Sequence, residues 1–78
     1  MGTQNELVQR LEDGYNKFSK GQKKLADFIR EDYDKAAFMT AAKMGEEVGV
    51  SESTVVRFAT ALGYEGYPQF QRALGEMV

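Results

Sequence analysis

The stretch from Ala41 to Thr60, AAKMGEEVGVSESTVVRFAT, constrains this chain more than any other. Apolar side chains fall at Met44, Val48, Val50, Val55 and Phe58, with glycines at Gly45 and Gly49 between them. Thr40 is suited to cap a helix by accepting a hydrogen bond from a backbone N–H of the first turn. Met44 and Val48, four residues apart, share one face of that helix. Gly45 costs a helix roughly 1 kcal/mol against alanine, a cost that makes sense where a second backbone must come close. Gly49 suits the left-handed conformation that ends a helix, Val50 plugs the corner, and Ser51 caps a second helix. There Val55, Phe58 and Leu62 form an inward stripe. Two helices crossing at a short turn make a helix-turn-helix.

The face of the second helix left over is the candidate reading surface: Glu52, Ser53, Val56, Arg57 and Thr60. In helix-turn-helix proteins this helix enters the major groove and its N-terminal part reaches base edges. Arg57 is long enough to take the O6/N7 edge of guanine bidentately, and Glu52 can accept from cytosine N4. Ser51, Ser53 and Thr54 stand where free backbone N–H groups favour phosphate. Each has a plainer reading. Arg57 can pair with Glu46, Glu47 or Glu52, Ser51 can serve only as a cap, and Glu52 can simply complement the helix dipole. Val56 fits either the core or a thymine methyl.

Charge complicates the picture. The 78 residues carry 10 Lys and Arg against 12 Asp and Glu, a formal net charge of −2, whereas a DNA-binding domain is often strongly basic. Lys43 and Arg57 are outnumbered by Glu46, Glu47 and Glu52. The positive charge gathers at Lys17, Lys20, Lys23 and Lys24, ahead of Asp27, Glu31, Asp32 and Asp34. Phosphate affinity follows the local field rather than the total. Lys20 and Lys23 at a helix start can therefore clamp the DNA backbone, or form an ordinary solvated run. The candidate DNA-binding set is Ser51, Glu52, Ser53, Thr54 and Arg57, with Lys43, Lys20 and Lys23. Binding by one copy is expected to be weak, and two copies on a two-fold operator are the usual remedy.

The flanks also read as helices. Thr3 and Glu6 have capping-box spacing, followed by Leu7, Leu11, Tyr15 and Phe18 on one face, with Gly14 weakening the end. Leu7, Val8, Leu11 and Tyr15 offer more apolar surface than a small monomer needs, which points either to a dimer contact or to a face exposed by truncation. Ser19 and Gln22 repeat the box before a stripe of Leu25, Phe28, Ile29 and Tyr33. A connector at residues 34–39 follows, with Ala36, Phe38 and Met39 expected to anchor it. Gly63 reads as the residue after a helix end, and Pro68 as the first of a last helix whose apolar face is Phe70, Ala73, Leu74 and Met77. The fold class is all-α: a small five-helix bundle containing the helix-turn-helix in a three-helix core of the winged-helix or homeodomain kind.

Composition excludes other classes. The chain has no cysteine and no histidine, which removes disulfides, thiolate metal sites and the commonest general base. Glu46 and Glu47, adjacent on a helix, point about 100° apart and do not converge as an acid/base pair. No enzyme activity and no cofactor is expected. No apolar run approaches the ~20 residues of a membrane span. The polar start MGTQNELVQR is unlike a signal peptide, so a soluble cytoplasmic protein is the expectation.

The run Val50 to Leu74, VSESTVVRFATALGYEGYPQFQRAL, resembles the signature of the RpiR family of bacterial transcription regulators. Val50, Ser51, Thr54, Val55, Arg57 and Phe58 match its V-S-x-x-T-V-x-R-F segment. Leu62, Gly63, Tyr64, Gly66 and Tyr67 match L-G-[FY]-x-G-[FY], and Phe70 and Leu74 the closing F-x-x-x-L. The S-x-x-Q-x-x-x-A-x-[FY]-I pattern from Ser19 to Ile29 is similar too. Met44 and Gly45 depart from the family's usual leucine and alanine but keep the apolar and small character. The resemblance implies sequence-specific duplex DNA binding over one domain, residues 1–78, of a regulator of carbohydrate metabolism. It also implies a C-terminal sugar-isomerase-like domain that senses a phosphosugar, outside this chain, and marks Ser51, Thr54 and Arg57 for DNA. Tyr64 and Tyr67 are packing residues under this reading, with hydroxyls free to meet phosphate. A helical protein-interaction or dimerisation module that has lost DNA binding is the alternative, favoured by the acidic total.

Overall fold

In a computed structural model, residues 6–78 are described. They form five α-helices and one turn of 3-10 helix: α1 Glu6–Gly14, the 3-10 turn Tyr15–Lys17, α2 Lys20–Ala36, α3 Ala41–Val48, α4 Glu52–Ala61 and α5 Tyr67–Gly75. No strand occurs among the described residues. Thr3, proposed above to cap α1, lies outside them.

Local chemistry explains most of the boundaries. The Ser19 Oγ accepts from the Gln22 N–H at 3.3 Å, and the Gln22 Oε1 accepts from the Ser19 N–H at 2.9 Å, a complete capping box. Thr40 caps α3 by accepting from the Lys43 N–H at 3.1 Å. Ser51 caps α4 by accepting from the Thr54 N–H at 3.1 Å. At the end of α4 the Gly63 N–H donates to the Thr60 carbonyl and the Tyr64 N–H to the Ala59 carbonyl, which satisfies both acceptors.

Four expectations about the flanks need correction. The second helix runs on through Asp34 to Ala36, with non-helical backbone at Asp32, so the connector is only residues 37–40. Within it Phe38 points outward and is 80% exposed; the anchors are Ala36 and Ala37, with Met39 half-buried. Tyr67, not Pro68, opens α5, because Gly66 is its cap and the proline follows in the first turn. The helical face proposed for Leu7 to Phe18 stops at Gly14, and Phe18 is extended after the 3-10 turn.

Helix α4 is the hub, packed against α2, α3 and α5. Phe58, Phe70, Leu7, Leu11, Leu25, Ile29, Met44, Leu74 and Val55 are fully buried. Each such side chain contributes about 1.5–3 kcal/mol relative to leaving it in water. Phe58 lies edge-on to Phe18 at 5.1 Å between centroids and to Phe70 at 6.2 Å. Tyr64 and Tyr67 flank Phe70 at 5.9 and 5.7 Å. Leu7 and Leu11 are spent in this core, so of the surface proposed as a dimer contact only Val8 and Tyr15 stay partly open.

Candidate nucleic-acid interface

The turn between α3 and α4 sets where the exposed face of α4 points. The Gly49 and Val50 N–H groups both donate to the Gly45 carbonyl, at 2.7 and 2.9 Å. Gly49 has φ of 91°, the left-handed region that favours glycine. A Cβ on Gly45 would sit 2.6 Å from the Val50 carbonyl oxygen and 3.3 Å from the Ser51 carbonyl carbon. The close approach inferred from Gly45 is therefore real, and it is an approach to the turn backbone itself.

Anchored this way, α4 turns Val55, Phe58, Ala59 and its cap Leu62 inward, all at most 6% exposed. Glu52, Ser53, Val56, Arg57 and Thr60 face out, as their spacing required. Glu52, Ser53, Val56 and Arg57 line one shallow surface depression. The ion pairs open to Arg57 do not form: among the described residues the only such pairs are Arg10–Glu6 and Lys43–Glu46. The guanidinium is thus exposed and unpartnered, with all five donors available. Ser51 and Thr54 differ, since their hydroxyl oxygens lie 2.9 Å apart and engage each other. Lys43 stands on α3 with its ammonium 3.9 Å from Glu46.

The lysine run divides. Gly21, in the first turn of α2, abuts the start of α4: a Cβ there would lie 3.3 Å from Val50 Cγ1 and 3.7 Å from Thr54 Cγ2. Lys20 is next to that contact and exposed. Successive helical residues are about 100° apart, so Lys24 lies roughly 60° round the axis from Gly21, and Lys23 roughly 160°. Lys23 accordingly turns to the far side, where its ammonium sits 5.4 Å over the Tyr15 ring. The Tyr15 hydroxyl meets the Asp27 carboxylate at 3.2 Å. Desolvation, with help from that carboxylate, pushes its pKa above the ordinary value. Lys24 escaped the site set drawn from sequence, because its direction depends on where Gly21 packs.

Two supports behind the face were also unforeseen. The Arg10 Nη1 donates to the Leu62 carbonyl at 2.9 Å, and its guanidinium lies 4.7 Å over the Tyr64 ring. A cation at the C-terminus of α4 suits the helix dipole. Glu6, one turn earlier, holds the same guanidinium at 2.6 Å. The Tyr67 hydroxyl donates to the Met39 carbonyl at 2.6 Å. It is committed to that bond, so the phosphate contact allowed for it above is withdrawn.

This arrangement defines a helix-turn-helix domain with its second helix presented for reading. The chain matches the family model described as the helix-turn-helix domain, rpiR family, over residues 5–78, and it belongs to that family. It is 39% identical over 67 residues to the uncharacterized HTH-type transcriptional regulator YfhH of Escherichia coli strain K12, covering 86% of this chain and 24% of that protein. It is 29% identical over 72 residues to the uncharacterized HTH-type transcriptional regulator CPE0189 of Clostridium perfringens, covering 92% of this chain and 26% of that protein. Among solved structures it superposes on the NanR protein of Vibrio vulnificus complexed with ManNAc-6P, with a TM-score of 0.85 at 35% identity, over 91% of this chain and 27% of that one. The chain thus spans about a quarter of the length of these relatives. None of its described helices is long and apolar enough to cross a membrane.

Proposed function

We propose that this chain is the DNA-reading domain of a cytoplasmic transcription regulator of carbohydrate metabolism, working by binding rather than catalysis. The observation that carries the reading is Arg57: an unpaired guanidinium beside Glu52, Ser53 and Val56, on a helix held from behind on three sides. Such a face meets the major groove as a preorganised surface, with Arg57 on a guanine edge and Glu52 on a cytosine amine. Ser51 and Thr54, already bonded to each other, turn their remaining hydrogen-bonding capacity to phosphate, with Ser53 beside them. Lys20 flanks the groove as a phosphate clamp with Lys24. Lys43 reaches the backbone from α3, and Lys23, held over Tyr15, contributes less.

Two further parts of the reading go beyond the face of α4. Binding as a homodimer on a two-fold operator compensates for the weak field of one acidic copy. Control by a phosphosugar, through a sugar-isomerase-like domain outside these residues, is supported by the NanR structure holding ManNAc-6P.

The test is a fluorescence anisotropy titration at low salt, using a duplex selected from a random library and a scrambled one. The wild type is expected to prefer the selected duplex. Arg57→Ala should lose about 5- to 150-fold of that affinity, the worth of one good bidentate base contact of ~1–3 kcal/mol, with its melting curve unchanged. Equal affinity of variant and wild type would remove Arg57 from the reading set. No binding to any duplex would sink the DNA reading and leave an interaction module.

A further inference from the structure

Val56 is the one large apolar side chain that α4 leaves open. It is 38% exposed, whereas Val55 and Phe58 on the same helix are fully buried. A lone exposed valine is ordinary on a protein surface, so its position is what counts. It shares the depression with Glu52 and Ser53, about one turn earlier, and with Arg57 beside it. Thr60, one turn later, has its hydroxyl directed at the Val56 carbonyl at 3.4 Å. The valine is therefore an apolar spot framed by polar groups, at the centre of the face.

A β-branched residue is a poorer helix former than alanine, and its burial here is incomplete. The part left open is apolar and lies in the middle of the polar face, where a partner can cover it. In the major groove the thymine C5-methyl is the apolar group that a base pair presents. Arg57 and Glu52 supply donors and an acceptor for guanine and cytosine, and Val56 supplies the complement for thymine. Its χ1 is held to one preferred rotamer in a helix, so little freedom is lost when its methyl groups are covered.

We propose that Val56 is a specificity-determining residue whose methyl groups pack on the 5-methyl of a thymine in the bound duplex. This rests on the DNA reading given above and goes further, because it fixes a base preference at one step of the site.

The experiment starts from the duplex that the wild-type chain selects from a random library. Each thymine of that duplex is replaced singly by deoxyuridine, which removes the methyl and leaves pairing intact. One replacement should weaken wild-type binding about fourfold, the worth of roughly one buried methylene. The same replacement should leave the affinity of Val56→Ala unchanged. Circular dichroism checks that Val56→Ala keeps its helix, and Val56→Thr, which retains one γ-methyl, should show a deoxyuridine effect between those of Val56→Ala and wild type. A selected site in which no thymine couples to residue 56 overturns the role of Val56 while the DNA reading stands. Failure to select any sequence removes both.

Discussion

Replacing Tyr67 with phenylalanine removes one oxygen and tests what holds the helix-turn-helix in place. The Tyr67 hydroxyl donates to the Met39 carbonyl at 2.6 Å, and the Gln71 Nε2 donates to the same oxygen at 2.9 Å and to Ala37 at 3.3 Å. Met39 is followed by Thr40, the cap of α3, so this latch from α5 sets where α3 begins. Phenylalanine keeps the ring in place against Phe70 and opens no cavity. The net cost of a lost hydrogen bond is about 0.5–1.5 kcal/mol. The Met39 oxygen keeps its Gln71 donor and is not orphaned, so the lower half of that range applies. At about 4–8 °C per kcal/mol for a domain of this size, melting at pH 7 should fall by roughly 2–8 °C, read by circular dichroism or calorimetry.

The same substitution has a signature in alkali. Burial pushes the Tyr67 pKa up from 10.0 to about 12. A raised folded-state pKa means that the native chain keeps a proton which the unfolded chain gives up. That stabilisation is fully present below pH 10 and is lost as pH rises from 10 to 12. In this window wild-type stability should decline more steeply than that of Tyr67→Phe, by up to about 1.4 kcal/mol per pH unit. Tyr15 and Tyr64 also titrate above the ordinary value, but both remain in the variant and cancel in the comparison. An unchanged melting temperature together with equal alkaline slopes would show that the hydroxyl does not hold the connector.

Three other substitutions probe the corner, the cap and the clamp. Gly45→Val places a Cβ 2.6 Å from the Val50 carbonyl oxygen, where the neighbours are backbone and cannot swing away. It should lose about 1–3 kcal/mol or more in urea unfolding, while Gly75→Ala, whose added Cβ meets nothing within 4 Å, stays within about 0.5 kcal/mol of wild type. Ser51→Ala removes the bond to the Thr54 N–H and should cost about 0.5–2 kcal/mol in the same assay. Lys20→Ala should flatten the dependence of log affinity on log salt by about 0.9, the share of one phosphate contact. An unchanged slope would make Lys20 a solvated charge.

What could be read from the chain beforehand is what neighbouring residues decide among themselves. The caps at Ser19, Thr40 and Ser51, the left-handed Gly49 and the inward stripe of Val55, Phe58 and Leu62 depend on contacts a few residues apart. The outward face of α4 follows from that stripe by subtraction. Directions set by distant packing were not readable. Phe38 looked like an anchor because it is apolar, yet the latch from Tyr67 and Gln71 takes its neighbours' carbonyls and leaves its ring outside. Lys23 and Lys24 are adjacent in the chain, and only the contact of Gly21 with Val50 shows which of them faces α4. Leu7 and Leu11 could have served a core or an interface, and a core closed by α1 claims them.

The acidic total and the reading of α4 are compatible for a reason of distance. Lys20 stands at the first position of α2, beside the start of α4, while Asp27, about 10 Å along the axis, accepts from the Tyr15 hydroxyl and Glu31, Asp32 and Asp34 occupy the other end. At 1.5 Å per residue those last three acids lie roughly 16–21 Å further along the axis. That is about twice the Debye length of ~8 Å at physiological ionic strength, so phosphates docked at the basic end feel them weakly. Nearer the groove, Glu46 is drawn to Lys43, while Arg57 is not drawn to any acid. The net charge of −2 sums over the whole surface, whereas the face proposed to meet a duplex sets Lys20, Lys24 and Arg57 against Glu52. It limits how tightly one copy binds without deciding whether the patch can read DNA, which is why the salt slope and the Arg57 titration carry more weight than the charge count.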